Sequence, residues 1–343
     1  MKKTRNILLI VFVLPALVSC NVSCNQQGCG GNDTSICIVS WNVQNLFNAV
    51  NDGSEYDEYK PESGWDQQSY EKRLSNIRTV FGYLPSSKQK IIVLNEVEGP
   101  DVIEDLIKSH DMASIGFHWF ACTSSENQSV QTAVISSMPI EHAYVHEVEE
   151  GLRPVFEVCI ETERGKIFIL AVHYKSNLGG SEETEAQRQK AAGVTAQIAR
   201  VLEQENPGCL ILVCGDMNEE CWDNRIMGPD GPLKASGSFS PGFWYCFWKD
   251  QERSIWPNGS YWYSGNWRCY DNILVSASGS DGAGLELTNC GVVFKGILST
   301  ADSKPASWNR RLLTGVFEFD KIVGESEYRQ CGSGKQKNNQ LPV

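Results

Sequence analysis

Residues 209–218, CLILVCGDMN, decide how the rest of the sequence is interpreted. The apolar run at 210–214 is bounded by turn formers, which is typical of a strand buried on both faces. Gly215 ends the run, and Asp216 and Asn218 follow it. On extended backbone, residues two apart point the same way and can share one water or one metal ion. Taken alone, the motif fits a β-turn better, because Gly, Asp and Asn are common turn formers.

Length and charge limit the kinds of protein that this chain can be. Its 343 residues suit one large α/β domain or two small ones, and an apolar content of 41% is enough for a sizeable core. The formal net charge is −12, and loss of Lys2, Lys3 and Arg5 with a signal peptide would leave −15. Such a chain is repelled by nucleic acid unless cations intervene. This disfavours a passive DNA-binding protein but suits an enzyme whose divalent metal contacts phosphate.

The first 20 residues predict an export signal rather than part of the fold. A basic start precedes an apolar run at 7–18 that is short for a membrane span. The run ends in Ser19 and Cys20, which resembles a bacterial lipobox whose Cys is lipidated; the alternative is a plain secretory signal peptide. Residues 21–35 are polar, as a flexible tether should be. We therefore expect a protein that is exported and lipid-anchored through Cys20 to the bacterial cell envelope.

The 13 cysteines allow disulfides in an exported protein, but the sequence does not reveal their pairing. Cys37, Cys159 and Cys214 lie inside apolar runs, where a free cysteine acts as a small core residue. No CxxC pair occurs, which argues against a zinc site.

Hydrophobic periodicity predicts an alternation of strands and helices along one domain. Helical spacing marks residues 69–84 and 100–109, and a further helix with Ser181 as its N-cap. Residues 224–265 are rich in Gly, Pro, Trp and Tyr and are expected to form loops on the substrate side. Strands are predicted at 35–42, 90–96, 132–136, 155–160, 166–173, 210–214, 271–276 and 290–294. The mixture favours a layered sandwich of mixed sheets over a doubly wound sheet.

Five of these apolar runs carry polar residues at or near an end. They are Asn42, Glu96, His173 with Lys175, Asp216 with Asn218, and Asp271. Each alone has an ordinary explanation as a turn, a solvated strand end, a core histidine or surface charge. Together they fit phosphodiester hydrolysis, which needs carboxylate and amide oxygens for a hard divalent cation and cationic donors for the phosphate.

Five motifs carry a resemblance to a known family. They are SWNVQNLF at 40–47, VLNEVEG at 93–99, AVHYKS at 171–176, GDMN at 215–218 and YDNILVS at 270–276. In order and spacing they resemble the endonuclease/exonuclease/phosphatase superfamily. The resemblance implies a four-layer α/β sandwich, with two packed mixed β-sheets flanked by helices, over residues 36–316. The lipobox and the stretch WYSGNWRCYDNILVS are most similar to the bacterial secreted or surface-attached branch.

The resemblance also implies roles for the strand-end residues. Asn42 and Glu96 match the metal site for Mg²⁺ or Mn²⁺, and Glu96 is the direct ligand. His173 matches a histidine that donates to the phosphate or the leaving group. Asp216 matches the residue that orients or deprotonates the attacking water.

Three further residues complete the implied site. Lys175 lies close to the substrate, Asn218 matches a residue that binds a phosphate oxygen, and Asp271 matches the carboxylate that orients a second catalytic histidine. Asn95 stands where many relatives have Gln.

The second histidine is where the chain departs from the family. Relatives carry a Ser-Asp-His element near their C-terminus, whereas none of the five histidines here follows His173. Asn-Asn-Gln at 338–340 occupies its place, Asp302 and Ser303 are a weaker remnant, and residues 317–343 form an atypical polar tail. Loss of a catalytic acid or base costs about 10²–10⁴-fold in rate. An error in the deduced tail sequence, a weakened enzyme and a cleft kept for binding are the three explanations.

Three functions follow for a protein expected to act as a monomer. The leading hypothesis is a surface-tethered, divalent-metal-dependent phosphodiester hydrolase, either a nuclease or a phospholipid-type phosphodiesterase. The alternative is a non-catalytic surface lipoprotein that binds a ligand or host component through the same cleft. A third is host attachment through the aromatic loops between Trp244 and Trp267.

Overall fold

The computed structural model describes residues 35–85, 87, 89–108, 112, 115–125, 127–250, 259–293 and 312–319. The predicted lipidation site at Cys20 and the chain after Phe319 lie outside the described residues. Within the described ranges, no helix has the length and apolar character needed to cross a bilayer.

Two mixed β-sheets form the centre of the molecule. The six-stranded sheet consists of β1 (Ile36–Leu46), β2 (Gln89–Val97), β3 (Trp119–Cys122), β4 (Gln131–Ser136), β14 (Leu285–Val293) and β15 (Leu312–Phe319), in the order β14-β15-β1-β2-β4-β3. The seven-stranded sheet consists of β5 (His142–His146), β6 (Val155–Thr162), β7 (Gly165–His173), β8 (Leu210–Asp216), β9 (Ala235–Ser236), β10 (Trp244–Cys246) and β13 (Asp271–Val275), in the order β5-β6-β7-β8-β13-β10-β9. A separate hairpin pairs β11 (Tyr261–Tyr263) with β12 (Asn266–Arg268).

Helices cover the outer faces of the two sheets. They are α1 (Gln67–Phe81), α2 (Pro100–Ile107) and α3 (Glu185–Glu205). One core cluster joins α1 and α2 to the outer face of β1 and β2, and a second joins α3 and both sheets. The order is therefore helix, sheet, sheet, helix, which confirms the predicted four-layer α/β sandwich.

Strand alternation in β1 decides which residues face the space between the sheets. Cys37, Val39 and Trp41 belong to the core beneath α1 and α2, whereas Ile36 and Ile38 belong to the core shared with the other sheet. Side chains two apart on a strand share a face. Asn42 lies four residues after Ile38, so its side chain points to the same face, toward the second sheet. It is the last residue of β1 before the register shift in its pairing with β2.

The main differences from the predicted elements lie at edges and ends. The half-buried edge strands β3 and β5 were not predicted from the sequence. The helix α3 begins at Glu185 with Thr184 as its N-cap, so the prediction of Ser181 as N-cap is wrong. The Ser181 carbonyl instead accepts a hydrogen bond from the guanidinium of Arg188 at 2.7 Å.

The last strand of the six-stranded sheet extends beyond residue 316. Residues 312–319 form β15, which pairs antiparallel with β1 and places Phe317 opposite Ile36. The predicted boundary after Val316 therefore falls inside a strand, and the first three residues assigned to the polar tail belong to the sheet. The predicted loop region 224–265 contains the short strands β9, β10 and β11.

The three cysteines predicted to be core residues are not in disulfides. Cys37, Cys159 and Cys214 are completely buried, as expected for small core residues. Burial raises the pKa of the Cys37 thiol to about 12 and holds that of Cys214 far above its ordinary range.

Candidate active site at the strand ends

The predicted site residues meet where strands of both sheets end. In the parallel pair β7–β8, His173 lies opposite Asp216, and in the antiparallel pair β8–β13, Asp216 lies opposite Asp271. In the other sheet, the parallel pair β1–β2 brings Asn42 beside Asn95, one residue before Glu96. The two sheets thus bring residues separated by more than 200 positions in sequence to one edge.

A cluster of two carboxylates, one amide and one imidazole forms the centre of the site. The Nδ2 of Asn42 donates to Oε1 of Glu96 at 2.6 Å and to Oδ2 of Asp216 at 3.0 Å. The Nε2 of His173 lies 3.6 Å from Glu96 Oε1 and 3.9 Å from Asp216 Oδ2. Asn42, His173 and Asp216 are buried, whereas the Glu96 side chain keeps 18% of its surface exposed.

This cluster has the donor set that a divalent cation requires. One ligand atom from each of Glu96, His173 and Asp216 lies within 4.8 Å of the others. Two carboxylates held this close repel each other unless a cation or hydrogen-bond donors compensate. Carboxylate oxygens suit Mg²⁺ and Mn²⁺, and Glu96 is the member that remains open to solvent.

The backbone at this edge is held in conformations that few side chains adopt. Glu96 has φ 65° and Asn218 has φ 50°, both in the left-handed region. Such conformations cost on the order of 1–3 kcal/mol each and cluster at functional sites. In Glu96 this conformation accompanies a hydrogen bond from the backbone N–H of Asn45 to Oε2, at 3.1 Å.

Gly215 is required by the close approach of β7 to β8. Its φ is 142°, and a Cβ at this position would lie 1.9 Å from the carbonyl oxygen of Val172. No side chain fits there, because even 3.0 Å is too short for a real Cβ contact. The glycine that marks the end of the apolar run in the sequence is therefore what lets Asp216 lie against His173.

The GDMN motif is a turn and part of the site at once. The backbone N–H of Asn218 donates to Asp216 Oδ1 at 2.9 Å, which is a local Asx-type turn. The Asn218 side chain donates to the carbonyl of Tyr174 at 3.1 Å, and Asn177 donates to the Asn218 carbonyl at 2.8 Å. The turn thus fixes Asn218 beside β7 and fixes one oxygen of Asp216.

Asp271 lies on the same sheet face as Asp216. It is fully buried, and its Oδ2 accepts a hydrogen bond from the Ser260 hydroxyl at 2.7 Å. The indole N–H of Trp248 donates to its carbonyl at 2.9 Å. The segments 302–303 and 338–340, considered as remnants of the Ser-Asp-His element, lie outside the described residues.

Lys175 lines a polar cavity near the end of β7. The cavity measures about 210 Å³, and its lining also includes Arg153, Tyr56 and Gln128. Two cationic side chains in one polar cavity suit an anionic group of a substrate.

Asn95 links the two sheets at the site, a role that its sequence context does not predict. Its Nδ2 donates to Thr132 Oγ1 and to the carbonyl of Val172, both at 3.1 Å, and its Oδ1 accepts from the N–H of Asp216 at 3.1 Å. These bonds tie β2 to β7 and β8 directly beneath the carboxylate cluster. The one sequence feature that could have indicated this role is the position of Asn95, a polar amide inside an apolar run and next to Glu96.

Arg188 is the second residue that sequence reasoning missed. It is 1% exposed on α3, and its Nε donates to Glu219 Oε2 at 3.0 Å. The same guanidinium reaches the Thr184 hydroxyl and the carbonyls of Ser181 and Lys175. Arg188 therefore anchors both the residue after Asn218 and the segment that carries Lys175.

Comparisons with known proteins agree with this geometry. Residues 37–316 match the family described as "Endonuclease/Exonuclease/phosphatase family". No curated protein matches the sequence significantly. Similar solved structures include truncated TDP2 from Caenorhabditis elegans, at 16% identity and TM-score 0.55, covering 83% of this chain and 97% of that chain.

Two further solved structures share the fold. TDP2 from D. rerio, complexed with a single-strand DNA product, has 14% identity and TM-score 0.55 and covers 83% of this chain and 100% of that one. The human Nocturnin catalytic domain with bound sulfate has 13% identity and TM-score 0.52 and covers 83% and 95%. Because the family match spans most of the chain and the five motifs lie within it, the chain belongs to the endonuclease/exonuclease/phosphatase family.

Proposed function

We propose that this protein is a divalent-metal-dependent phosphodiester hydrolase of the bacterial secreted branch of its family, tethered outside the cell through a lipid on Cys20. The observation that carries the proposal is the convergence of Glu96, His173 and Asp216 within 4.8 Å of one another. Members of this family are generally metal-dependent hydrolases of phosphodiesters or phosphates. The chain's own donor set agrees with that chemistry.

In this proposal Glu96 holds the metal ion, Mg²⁺ or Mn²⁺, with Asn42 beside it. When bound, a divalent ion neutralises charge that develops on the phosphate. Asn42 fixes the direction of the Glu96 carboxylate through their 2.6 Å hydrogen bond. The position of Glu96 is thus set by the protein before any substrate arrives, which lowers the cost of reorganisation during the reaction.

Asp216 and His173 supply the proton chemistry in this account. Asp216 has one oxygen fixed by Asn218 N–H and the other by Asn42, so its carboxylate is oriented to receive a proton from an attacking water. His173, with its Nε2 between the two carboxylates, is placed to donate to a phosphate oxygen. In this proposal Asn218 and Lys175 bind the remaining phosphate oxygens.

The substrate class is a phosphodiester, in nucleic acid or in phospholipid. Among proteins of this fold, the D. rerio TDP2 structure contains a single-strand DNA product, and ANGEL2 is described as a 2′,3′-cyclic phosphatase. The net charge of −12 disfavours long polyanions without cations.

The test is a substrate panel with the purified protein in Mg²⁺ or Mn²⁺. Single-stranded DNA, RNA, a 2′,3′-cyclic nucleotide and phosphodiester-lipid vesicles are compared, with a chelator as the blank. We expect metal-dependent turnover of at least one of them, and loss of that turnover in Asp216→Ala. An unchanged rate in Asp216→Ala would assign the turnover to a contaminant and contradict the proposal.

A second candidate function is ligand binding without turnover. It is favoured by one observation, namely that residues 338–340 are Asn-Asn-Gln where the family resemblance implies a Ser-Asp-His element. In that case the panel gives no hydrolysis, while Mn²⁺ and a non-hydrolysable phosphodiester bind to the wild type and not to Glu96→Ala. Turnover that depends on His173 excludes this candidate.

The proposed location has its own test. We infer from Ser19-Cys20 that Cys20 carries the lipid and that the protein resides in the cell envelope as a monomer. Expressed in a bacterial host, the wild type should fractionate with membranes and carry an acyl mass on its first residue. Cys20→Ser should be released, and an unchanged membrane fraction for this variant would contradict lipid anchoring at Cys20.

A further inference from the structure

A second group of potential metal-binding side chains lies at the β5 edge of the seven-stranded sheet. One ligand atom from each of Glu141, His142 and Cys159 lies within 4.8 Å of the others. His142 begins the edge strand β5 and lies directly opposite Cys159 of β6 in the antiparallel ladder. Directly opposed residues project from the same sheet face, so the imidazole and the thiol are neighbours because of the strand register.

Glu141 closes the group from the residue before β5. Its backbone N–H donates to the carbonyl of Cys159 at 2.9 Å, which fixes the entry of the chain into the strand. Its Oε2 accepts a hydrogen bond from the Cys159 thiol at 3.2 Å. The ammonium of Lys166 lies 2.9 Å from both carboxylate oxygens of Glu141. The thiol of Cys159 therefore shares its proton with the carboxylate of Glu141, beside the imidazole of His142. A divalent cation in place of this proton could bind the sulfur and the carboxylate oxygen together.

Glu157 provides the support that a metal-binding histidine usually has. Its side chain is 5% exposed and lies between His142 at 3.5 Å and His146 at 2.7 Å. A histidine that binds a metal typically donates its other ring N–H to a carboxylate, which fixes the ring and increases its basicity. Glu157 can hold His142 in this way, while the Nε2 of His146 lies 2.7 Å from its Oε2.

The group is separate from the candidate active site. Cys159 pairs with Phe168 of β7, and Phe168 precedes His173 by five residues. At about 3.3 Å per residue, the two groups are roughly 17 Å apart along the sheet. A metal ion at Glu141, His142 and Cys159 therefore cannot contact Glu96 or Asp216.

We propose that Glu141, His142 and Cys159 form a second metal site that takes Zn²⁺ or a similar borderline-soft divalent ion and fixes the edge strand β5 to β6. A thiolate, an imidazole nitrogen and a carboxylate oxygen are the three ligand types that Zn²⁺ uses, with a water or another group as the fourth. Mg²⁺ and Ca²⁺ prefer oxygen ligands only, so the thiol distinguishes this site from the catalytic cluster. The absence of CxxC does not conflict with it, because the ligands come from two strands.

Metal binding at this site would displace the thiol proton of Cys159 and the Lys166 ammonium from Glu141, without any redox change. Burial, and next to it the hydrogen bond to Glu141, hold the pKa of the Cys159 thiol far above its ordinary range. The thiol is therefore protonated before metal enters. A metal–sulfur bond forms as that proton leaves to solvent, and the contact between Glu141 and Lys166 gives way.

Co²⁺ is the probe that separates this site from the catalytic one. The metal-free, untagged full chain is titrated with Co²⁺ in excess Mg²⁺. We expect about one equivalent to produce thiolate-to-Co²⁺ charge-transfer absorption, which the Glu96, His173 and Asp216 cluster cannot give because it has no thiol. Addition of Zn²⁺ should remove the band, since Zn²⁺ fills the same position.

Two variants and one control decide the assignment. Cys159→Ser should abolish the band, and His142→Gln, a change at a partly exposed side chain, should weaken Co²⁺ binding by about 10–100-fold or more. Cys209→Ser, which removes another buried thiol, should leave the band unchanged. No band in the wild type, or an equal band in His142→Gln, would overturn the proposal even if Cys159→Ser failed to fold. A failed proposal here leaves the proposed hydrolase function untouched, because the readout does not involve turnover.

Discussion

At the scale of single residues, the site depends on side chains that contact no substrate. Asn95 is fully buried and makes three hydrogen bonds, two of which, to Val172 and Asp216, join the two sheets. Removing one partner of a buried hydrogen bond costs about 1–3 kcal/mol per group left unsatisfied. Asn95 is therefore a positioning residue, and it acts through the backbone of Asp216.

Asn95→Ala should lower the free energy of unfolding by on the order of 2–4 kcal/mol, because the N–H of Asp216 and the carbonyl of Val172 lose their partner. A shifted Asp216 should also reduce kcat by about 10–100-fold, with a smaller effect on KM. Urea unfolding and steady-state kinetics measure both effects. Asn289→Ala, at an exposed position of β14, is the control and should change neither. Equal stability of the two variants would show that the Asn95 bonds are dispensable.

A pair of glycine substitutions tests the contact between β7 and β8. Gly215→Ala should greatly reduce the yield of folded protein, because its Cβ would lie 1.9 Å from the Val172 carbonyl oxygen. Gly193→Ala, inside α3 with no atom within 4 Å of the new Cβ, should stabilise the protein by about 0.5–1 kcal/mol. Thermal unfolding of both variants measures the difference. A well-folded Gly215→Ala protein would contradict the close approach of the strands.

At the scale of elements, α3 holds the loop after β8 in place through a buried ion pair. Arg188→Ala should cost about 3–5 kcal/mol of stability, because it leaves the Glu219 carboxylate buried without its cation. Activity should fall as well, since Glu219 follows Asn218 directly. Arg200→Ala on the same helix, at an exposed position, is the matched control. Equal stability of Arg188→Ala and Arg200→Ala in chemical denaturation would contradict a stabilising role of the ion pair.

The elements that the sequence predicts are those with a strong local signal. Buried strands such as β7 and β8 appear as continuous apolar runs, and the polar residues at their ends locate the site. The edge strand β5 mixes histidines with small and aromatic residues, so its pattern is indistinguishable from that of a loop. The roles of Asn95 and Arg188 arise only from contacts between distant segments, which a single sequence does not encode in any local pattern.

At the scale of the whole molecule, charge and burial set the conditions under which the protein works. With a net charge of −12, binding to single-stranded DNA should require divalent cations. We expect retention of an inactive Asp216→Ala variant on immobilised single-stranded DNA in Mg²⁺ and its release by a chelator at constant ionic strength. Equally strong retention in the chelator would contradict this prediction, because it would mean that a basic surface of the protein binds DNA without divalent cations.

Burial also predicts how the thiols react. The pKa of Cys37 is raised to about 12 by burial, so almost no thiolate exists at neutral pH in the folded state. Cys37 and Cys214 should resist alkylation in the native protein and react once it is unfolded. Peptide mass spectrometry after labelling measures this, and rapid native labelling of either residue would contradict its place in the core.

The central claim is that Glu96 and its neighbours form a metal-dependent hydrolytic site, and the metal dependence of turnover in Glu96→Gln tests it most directly. With the substrate identified by the panel, kcat/KM is measured across a Mg²⁺ titration for the wild type, Glu96→Gln and the exposed control Glu205→Gln. The account predicts a loss of about 10²–10⁴-fold in Glu96→Gln, with a higher Mg²⁺ requirement, and no change in the control. If Glu96→Gln hydrolysed the substrate at the wild-type rate and with the wild-type Mg²⁺ dependence, the central claim would be contradicted.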